Sequence, residues 1–270
     1  MSIQNLVAQI RSKQSFLCVG LDSDIEKLPA HLSKDAEGML HFNKAIIDAT
    51  HDLAVAYKIN TAFYEALGVA GYKALDQTVA YLKASNPDQF VIADAKRGDI
   101  GNTSTQYAKA FFEAMDFDAV TVAPYMGRDS VEPFLQFSGK YAILLALTSN
   151  KGAFDFQTLE SGDQRVYEHV IQTSQTWKHA DRLMYVLGAT KTDHLASIRK
   201  QLPDAFFLVP GVGAQGGDLS GVYQAAASED VGLLVNASRS IIFADSGEDY
   251  AQAARSAAQE LQQQMKVLLC

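Results

Sequence analysis

Cysteine is nearly missing: two occur in 270 residues, Cys18 inside an apolar run and Cys270 at the last position. That count excludes the disulfide framework on which small secreted domains depend, and the chain reads as cytoplasmic. Proline is scarce too, 6 beside 18 glycines, and 48% of residues are apolar against 20% charged, so collagen-like, low-complexity and disordered classes are excluded. Nor is there an excess of basic charge. With 23 Lys and Arg against 31 Asp and Glu, the formal charge of -8 repels a phosphate backbone, and no nucleic-acid polymer is expected as a partner. Long hydrophobic runs are also missing. The longest, YAILLAL at 141–147, falls far below the ~18 residues of a membrane helix, so no membrane partner is expected. At the N-terminus Ile3, Leu6, Val7 and Ile10 recur at helical spacing in place of a signal peptide's apolar stretch. The histidines His31, His41, His51, His169, His179 and His194 show no metal-ligand spacing, and no metal site is expected.

What is present is a regular alternation. Eight short apolar runs lie at 16–21, 54–60, 90–96, 119–123, 141–147, 183–189, 206–212 and 231–238, each of strand length and β-rich. Between them apolar residues recur with helical period, as at Phe42, Ala45, Ile46, Ala49 and Leu53, and at Tyr107, Ala108, Phe111 and Met115. The last stripe runs through Tyr250, Ala253, Ala254, Ala257, Leu261, Met265 and Leu268. Strand and helix alternating eight times predicts a single (β/α)8 barrel over 1–270, with no domain boundary. An open doubly wound sheet, with ligand at a topological switch point, is the main rival. Segments 22–40 and 148–162 are long for such connections and fall after strands one and five, on the catalytic face of a barrel.

Polar residues collect at the C-terminal ends of the runs: Asp22, Lys58, Asp94 with Lys96, Thr148 with Ser149, and Ser238 with Arg239. That end is the functional rim of a barrel. The densest group is DAKRGDIGNT at 94–103, in which strand alternation turns Asp94 and Lys96 to one face and Asp99 follows in the turn. A lysine between two aspartates stays charged, as do the aspartates. Lys58 is expected at the same height on the neighbouring strand. A structural ion-pair network is the plain alternative, but desolvation makes it a poor source of stability. Such an array suits a reaction that develops charge. The second group, PGVGAQGGD at 210–218, is a Gly-rich turn before a helix and can cradle an anion. Arg239 in NASRSI at 236–241 stands at the end of strand eight, where barrels often complete a phosphate site.

DAKRGDIGNT, PGVGAQGGD and NASRSI, in that order and preceded by LCVGLD and YKIN, resemble orotidine 5'-phosphate decarboxylase in its longer bacterial branch, over about residues 16–240. The resemblance implies decarboxylation of orotidine 5'-monophosphate to uridine 5'-monophosphate, the last step of pyrimidine nucleotide synthesis, with no metal or organic cofactor. It implies a charged array of Asp94, Lys96 and Lys58, with Asp99 supplied across the interface of a homodimer. Lys96 would stabilise the carbanion at pyrimidine C6 and deliver the proton. Asp22 and Thr103 would contact the ribosyl part. Ser149, or its neighbour Thr148, would meet the pyrimidine edge, and Pro210, Gln215 and Arg239 would lie along the bound nucleotide, the last two at its phosphate. A metal-dependent sugar-phosphate enzyme of the same superfamily is a rival reading, against which Lys58 stands where an acidic residue is needed. A barrel that binds a phosphorylated ligand without turning it over is another.

Overall fold

The computed structural model describes residues 1–189, 192–212 and 218–270. Each apolar run becomes a parallel strand: β1 Leu17–Leu21, β2 Ala56–Asn60, β3 Phe90–Arg97, β4 Ala119–Val122, β5 Tyr141–Leu147, β6 Leu183–Leu187, β7 Phe207–Pro210 and β8 Leu233–Ala237. They hydrogen-bond in the order β1, β8, β7, β6, β5, β4, β3, β2 and close into a barrel, which sets the open doubly wound sheet aside. Strands such as β1, β4 and β8 are buried at every residue, because helices cover one face and the barrel interior the other. That double burial is why they read as continuous apolar runs.

The helices follow their sequence signals. Asp35 caps the helix Ala36–Thr50 by accepting from the N–H groups of Glu37 and Gly38, and Asp218 caps Leu219–Ala226 in the same way. After β5 the long connection folds into a short helix, Ala153–Phe156, and a small antiparallel ribbon pairing Glu160–Ser161 with Gln164–Arg165. The helix Gly101–Lys109 runs on into a π-helical turn over Ala110–Ala114, a detail that periodicity alone does not signal. No helix among the described residues is long and apolar enough to cross a membrane.

Close contacts group the chain into two compact units. The first comprises residues 1–95, 115–118 and 236–270. Its core stacks Phe42 between Phe243 and Tyr250, and Asp118 is buried where it accepts from the Val91 N–H at 2.9 Å and from Lys83 Nζ at 2.6 Å. The second comprises 96–114 and 119–235. There Arg199 is buried and donates to the carbonyls of Ala226, Leu202, Pro203, Ala205 and Gly232, with its guanidinium 3.7 Å from the centre of the Phe207 ring. Five carbonyl dipoles thus do for this cation what a carboxylate does elsewhere.

Candidate active site

Register builds the centre of the site. Cys18 pairs with Ala56 and Gly20 with Lys58 across β1 and β2, while Lys58 pairs with Ile92 and Asn60 with Asp94 across β2 and β3. Alternate residues share a face, so Lys58 sits between two strands whose next polar residues, Asp22 and Asp94, lie further along toward the C-terminal ends. The lysine stem climbs to meet them: Nζ donates to Asp22 Oδ1 at 3.0 Å and to Asp94 Oδ2 at 3.2 Å. Its side chain is only 6% exposed, against 11% for Asp94 and 21% for Asp22, so a buried cation meets two carboxylates that keep some contact with solvent. Burial alone would push the Lys58 ammonium toward neutrality, but the two carboxylates outweigh it and hold it well above the ordinary lysine value.

Two features brace this triad. Behind Asp22, the buried Ser23 donates to Asn43 Oδ1 at 2.6 Å, and Asn43 in turn donates to Tyr64 Oη at 2.8 Å and to Thr78 Oγ1 at 3.3 Å. Beside it, Gly20 leaves room for β8: a Cβ there would stand 1.9 Å from Ser238 Oγ and 3.0 Å from Asn236 Oδ1. Asn236 Oδ1 is buried with no hydrogen-bond partner among the described residues. The lone glycine within an apolar strand was the available sequence signal for this close approach. Cys18 lies buried below Gly20, and burial, more than any neighbouring charge, pushes its thiol up to about 12, so it stays protonated.

Of the sequence-predicted residues, the first unit brings together Asp22, Lys58 and Asp94, and carries Arg239 exposed at the start of the short helix Arg239–Ile242. Within the first unit Lys58 is thus a lysine that spans two aspartates, Asp22 and Asp94. Lys96 lies two residues beyond Asp94 on β3, exposed, with a left-handed backbone at φ 47°. Its N–H donates to Thr121 Oγ1 at 2.9 Å. In the turn that follows, the Asp99 carboxylate accepts from the Ile100 N–H at 2.7 Å and its main chain is tied to Ser104, while Thr103 is exposed in the first turn of Gly101–Lys109. Ser149 is half-buried just past β5, and Pro210 ends β7. Gln215 lies outside the described residues. No group of three or more His, Cys, Asp or Glu side chains among the described residues is placed to hold a metal ion.

The whole barrel has known counterparts. The sequence profile described as "Orotidine 5'-phosphate decarboxylase / HUMPS family" matches residues 15–256. A curated orotidine 5'-phosphate decarboxylase of Christiangramia forsetii is 59% identical over 98% of this chain and 97% of its own length. That of Flavobacterium johnsoniae is 58% identical over 100% of this chain and 98% of its own. Among solved structures, the OMP decarboxylase of Leishmania donovani superposes with a TM-score of 0.84 at 36% identity, covering 99% of this chain and 98% of that one. On agreement of this extent, the chain belongs to the orotidine 5'-phosphate decarboxylase family, enzymes of the carboxy-lyase class.

Proposed function

We propose that the chain converts orotidine 5'-monophosphate to uridine 5'-monophosphate and carbon dioxide, without metal or organic cofactor, as a cytoplasmic homodimer with one catalytic barrel per subunit. The observation that carries this reading is the buried Lys58 ammonium of β2 held by Asp22, just past β1, and by Asp94 of β3. Fixed charge in a site of this kind needs no reorganisation when the reaction begins. Loss of carbon dioxide from C6 leaves an electron pair in an sp2 orbital that cannot delocalise into the ring. A nearby ammonium supplies the stabilisation, and Lys96, two residues on from Asp94, is the group assigned to that charge and to proton delivery at C6. Asp94 sits near the departing carboxylate and destabilises the ground state to a lesser degree.

Slow decarboxylations of this type require roughly 20 kcal/mol of transition-state stabilisation. Binding energy from the phosphate, at Gln215 and Arg239, is therefore directed to closing the site and excluding water. Asp22 and Thr103 take the ribosyl part, Ser149 the pyrimidine edge, and Pro210 lies beside the phosphate turn. The dimer reading is supported by the surface around Asp99, where Ile100 is 58% and Tyr125 92% exposed. A second copy covering these side chains would bring its own Asp99 to the exposed Lys96. The test is direct: purified protein mixed with orotidine 5'-monophosphate should lose the substrate's ultraviolet absorbance and release carbon dioxide, with turnover unaffected by a chelator. Binding without an absorbance change would leave a sensor, and loss of turnover with a chelator would favour a metal enzyme.

A further inference from the structure

We infer that Asn43 is a positioning residue: its carboxamide holds Ser23 among the helices outside the barrel, and through Ser23 it fixes Asp22 to receive a hydroxyl of the nucleotide's sugar. The inference rests on the decarboxylase reading above, which assigns Asp22 to the ribosyl part, and names what keeps that carboxylate in place. Pairing of β1 with β2 ends at Leu21 opposite Ile59, so Asp22 and Ser23 lie past the last rung. Their side chains are anchored on different elements. Asp22 gives Oδ1 to the Lys58 ammonium, and its other oxygen has no hydrogen-bond partner among the described residues, which suits it to accept from a sugar hydroxyl. Ser23, fully buried, is tied to Asn43 of the helix Ala36–Thr50.

The direction of each bond in this network follows from counting protons. Thr78 donates its one hydroxyl proton to the Ala74 carbonyl at 2.7 Å, so toward Asn43 it can only accept. That sets the amide nitrogen against Thr78 and Tyr64, and the amide oxygen against Ser23, whose hydroxyl donates. Turned over, the carboxamide would face Thr78 with an oxygen and find no proton there. The network has one orientation, and Ser23 has one place to sit.

The helices are brought close to build it. Gly71 lies two turns before Thr78 on the same face of Gly68–Ser85, and a Cβ there would stand 1.8 Å from the Tyr64 carbonyl oxygen of Thr61–Glu65. A larger residue at 71 would push that helix away and carry Thr78 with it. A buried hydrogen-bond network adds little stability over apolar packing of the same shape. This one ends on the residue next to the carboxylate, which is where a positioning device belongs.

The experiment compares inhibition by uridine 5'-monophosphate with inhibition by 2',3'-dideoxyuridine 5'-monophosphate, which keeps base and phosphate but lacks both sugar hydroxyls. In Ser23→Ala the inhibition constant for uridine 5'-monophosphate should rise about tenfold, the worth of one well-aligned hydrogen bond. That for the dideoxy analogue should stay within about twofold on the same reasoning. Asn43→Leu should show the same selective rise, and in an Asp22→Ala background Ser23→Ala should change neither constant by more than about twofold, because all three act on one contact. Equal rises for both ligands, which a general loosening would give, no rise for either, or an effect that persists without Asp22 would each overturn the inference. Should Ser23→Ala fail to fold, Tyr64→Phe keeps the ring and removes the oxygen on which the Asn43 amide leans, and should raise the uridine 5'-monophosphate constant alone by about threefold; a shared rise or none is equally fatal. A wild-type protein that turns over no orotidine 5'-monophosphate would remove the decarboxylase reading itself, whereas an active wild type with an indifferent Ser23→Ala removes only the positioning role.

Discussion

Replacing Lys58 with methionine keeps an unbranched stem of similar reach and removes the charge between Asp22 and Asp94. The two bonds to Nζ, 3.0 and 3.2 Å, leave the carboxylate oxygens no more than about 6 Å apart. At an effective dielectric of about 20, two like charges at that spacing repel by roughly 3 kcal/mol. This matches the roughly 3–5 kcal/mol typical of breaking a buried ion pair from one side. The pH dependence carries the sign. In the native protein the Lys58 ammonium is held above its ordinary value, so its contribution is complete below the unfolded lysine value and is lost only as strongly alkaline pH passes the folded one. From about pH 5 to 8 this group therefore gives the wild type no slope. In Lys58→Met the two carboxylates are left facing each other and share a proton on acidification, so the deficit should be greatest at about pH 8 and shrink toward about pH 5. Calorimetric unfolding of both proteins across that range should show Tm lowered by roughly 6–12 °C at neutral pH, with the gap closing in acid. A gap that stays constant with pH, or no gap at all, would refute the triad as the source of the energy.

Other outcomes follow from the same geometry. Gly20→Ala should lower kcat/KM by at least about tenfold and stability by about 1–3 kcal/mol, since the new methyl must displace Ser238 and Asn236, and steady-state kinetics with a urea titration measure both. Arg199→Met leaves a set of buried carbonyls without donors and should cost about 3–5 kcal/mol in denaturant unfolding, with KM unchanged in the folded fraction. Lys96→Ala should abolish turnover while folding normally, and mixing it with Asp99→Ala should restore part of the activity through hybrid dimers with one intact site. Continued silence after demonstrated subunit exchange would place Asp99 within its own chain's site.

The barrel was legible because its strands are buried on both faces and so announce themselves as apolar runs, and all eight runs became the eight strands that close. Helix signals were equally local, as with the N-terminal stripe that became Ile3–Lys13. The triad was legible only in part. Asp94, Lys96 and Asp99 are neighbours along the chain, so sequence reasoning groups them and sets Lys58 beside them on the next strand, but it does not pair Lys58 with Asp22; that contact follows from lateral register, which lays β2 between β1 and β3. A left-handed residue inside a strand leaves no mark in the amino acids around it, so the backbone conformation of Lys96 could not be read. Asn43 was hidden for another reason: an asparagine in a helix carries no mark of its partner, and only the packed helices show that it reaches back 20 residues to Ser23.

The left-handed backbone of Lys96 sets up a conflict between endurance and chemistry. A side chain at φ 47° costs roughly 1–2 kcal/mol that glycine does not incur. A library at this position screened only for heat resistance should therefore enrich glycine, yielding hardier proteins stripped of the ammonium assigned to the reaction. Persistence of lysine there under purifying selection would then register demand for turnover, set against the preference of the polypeptide itself.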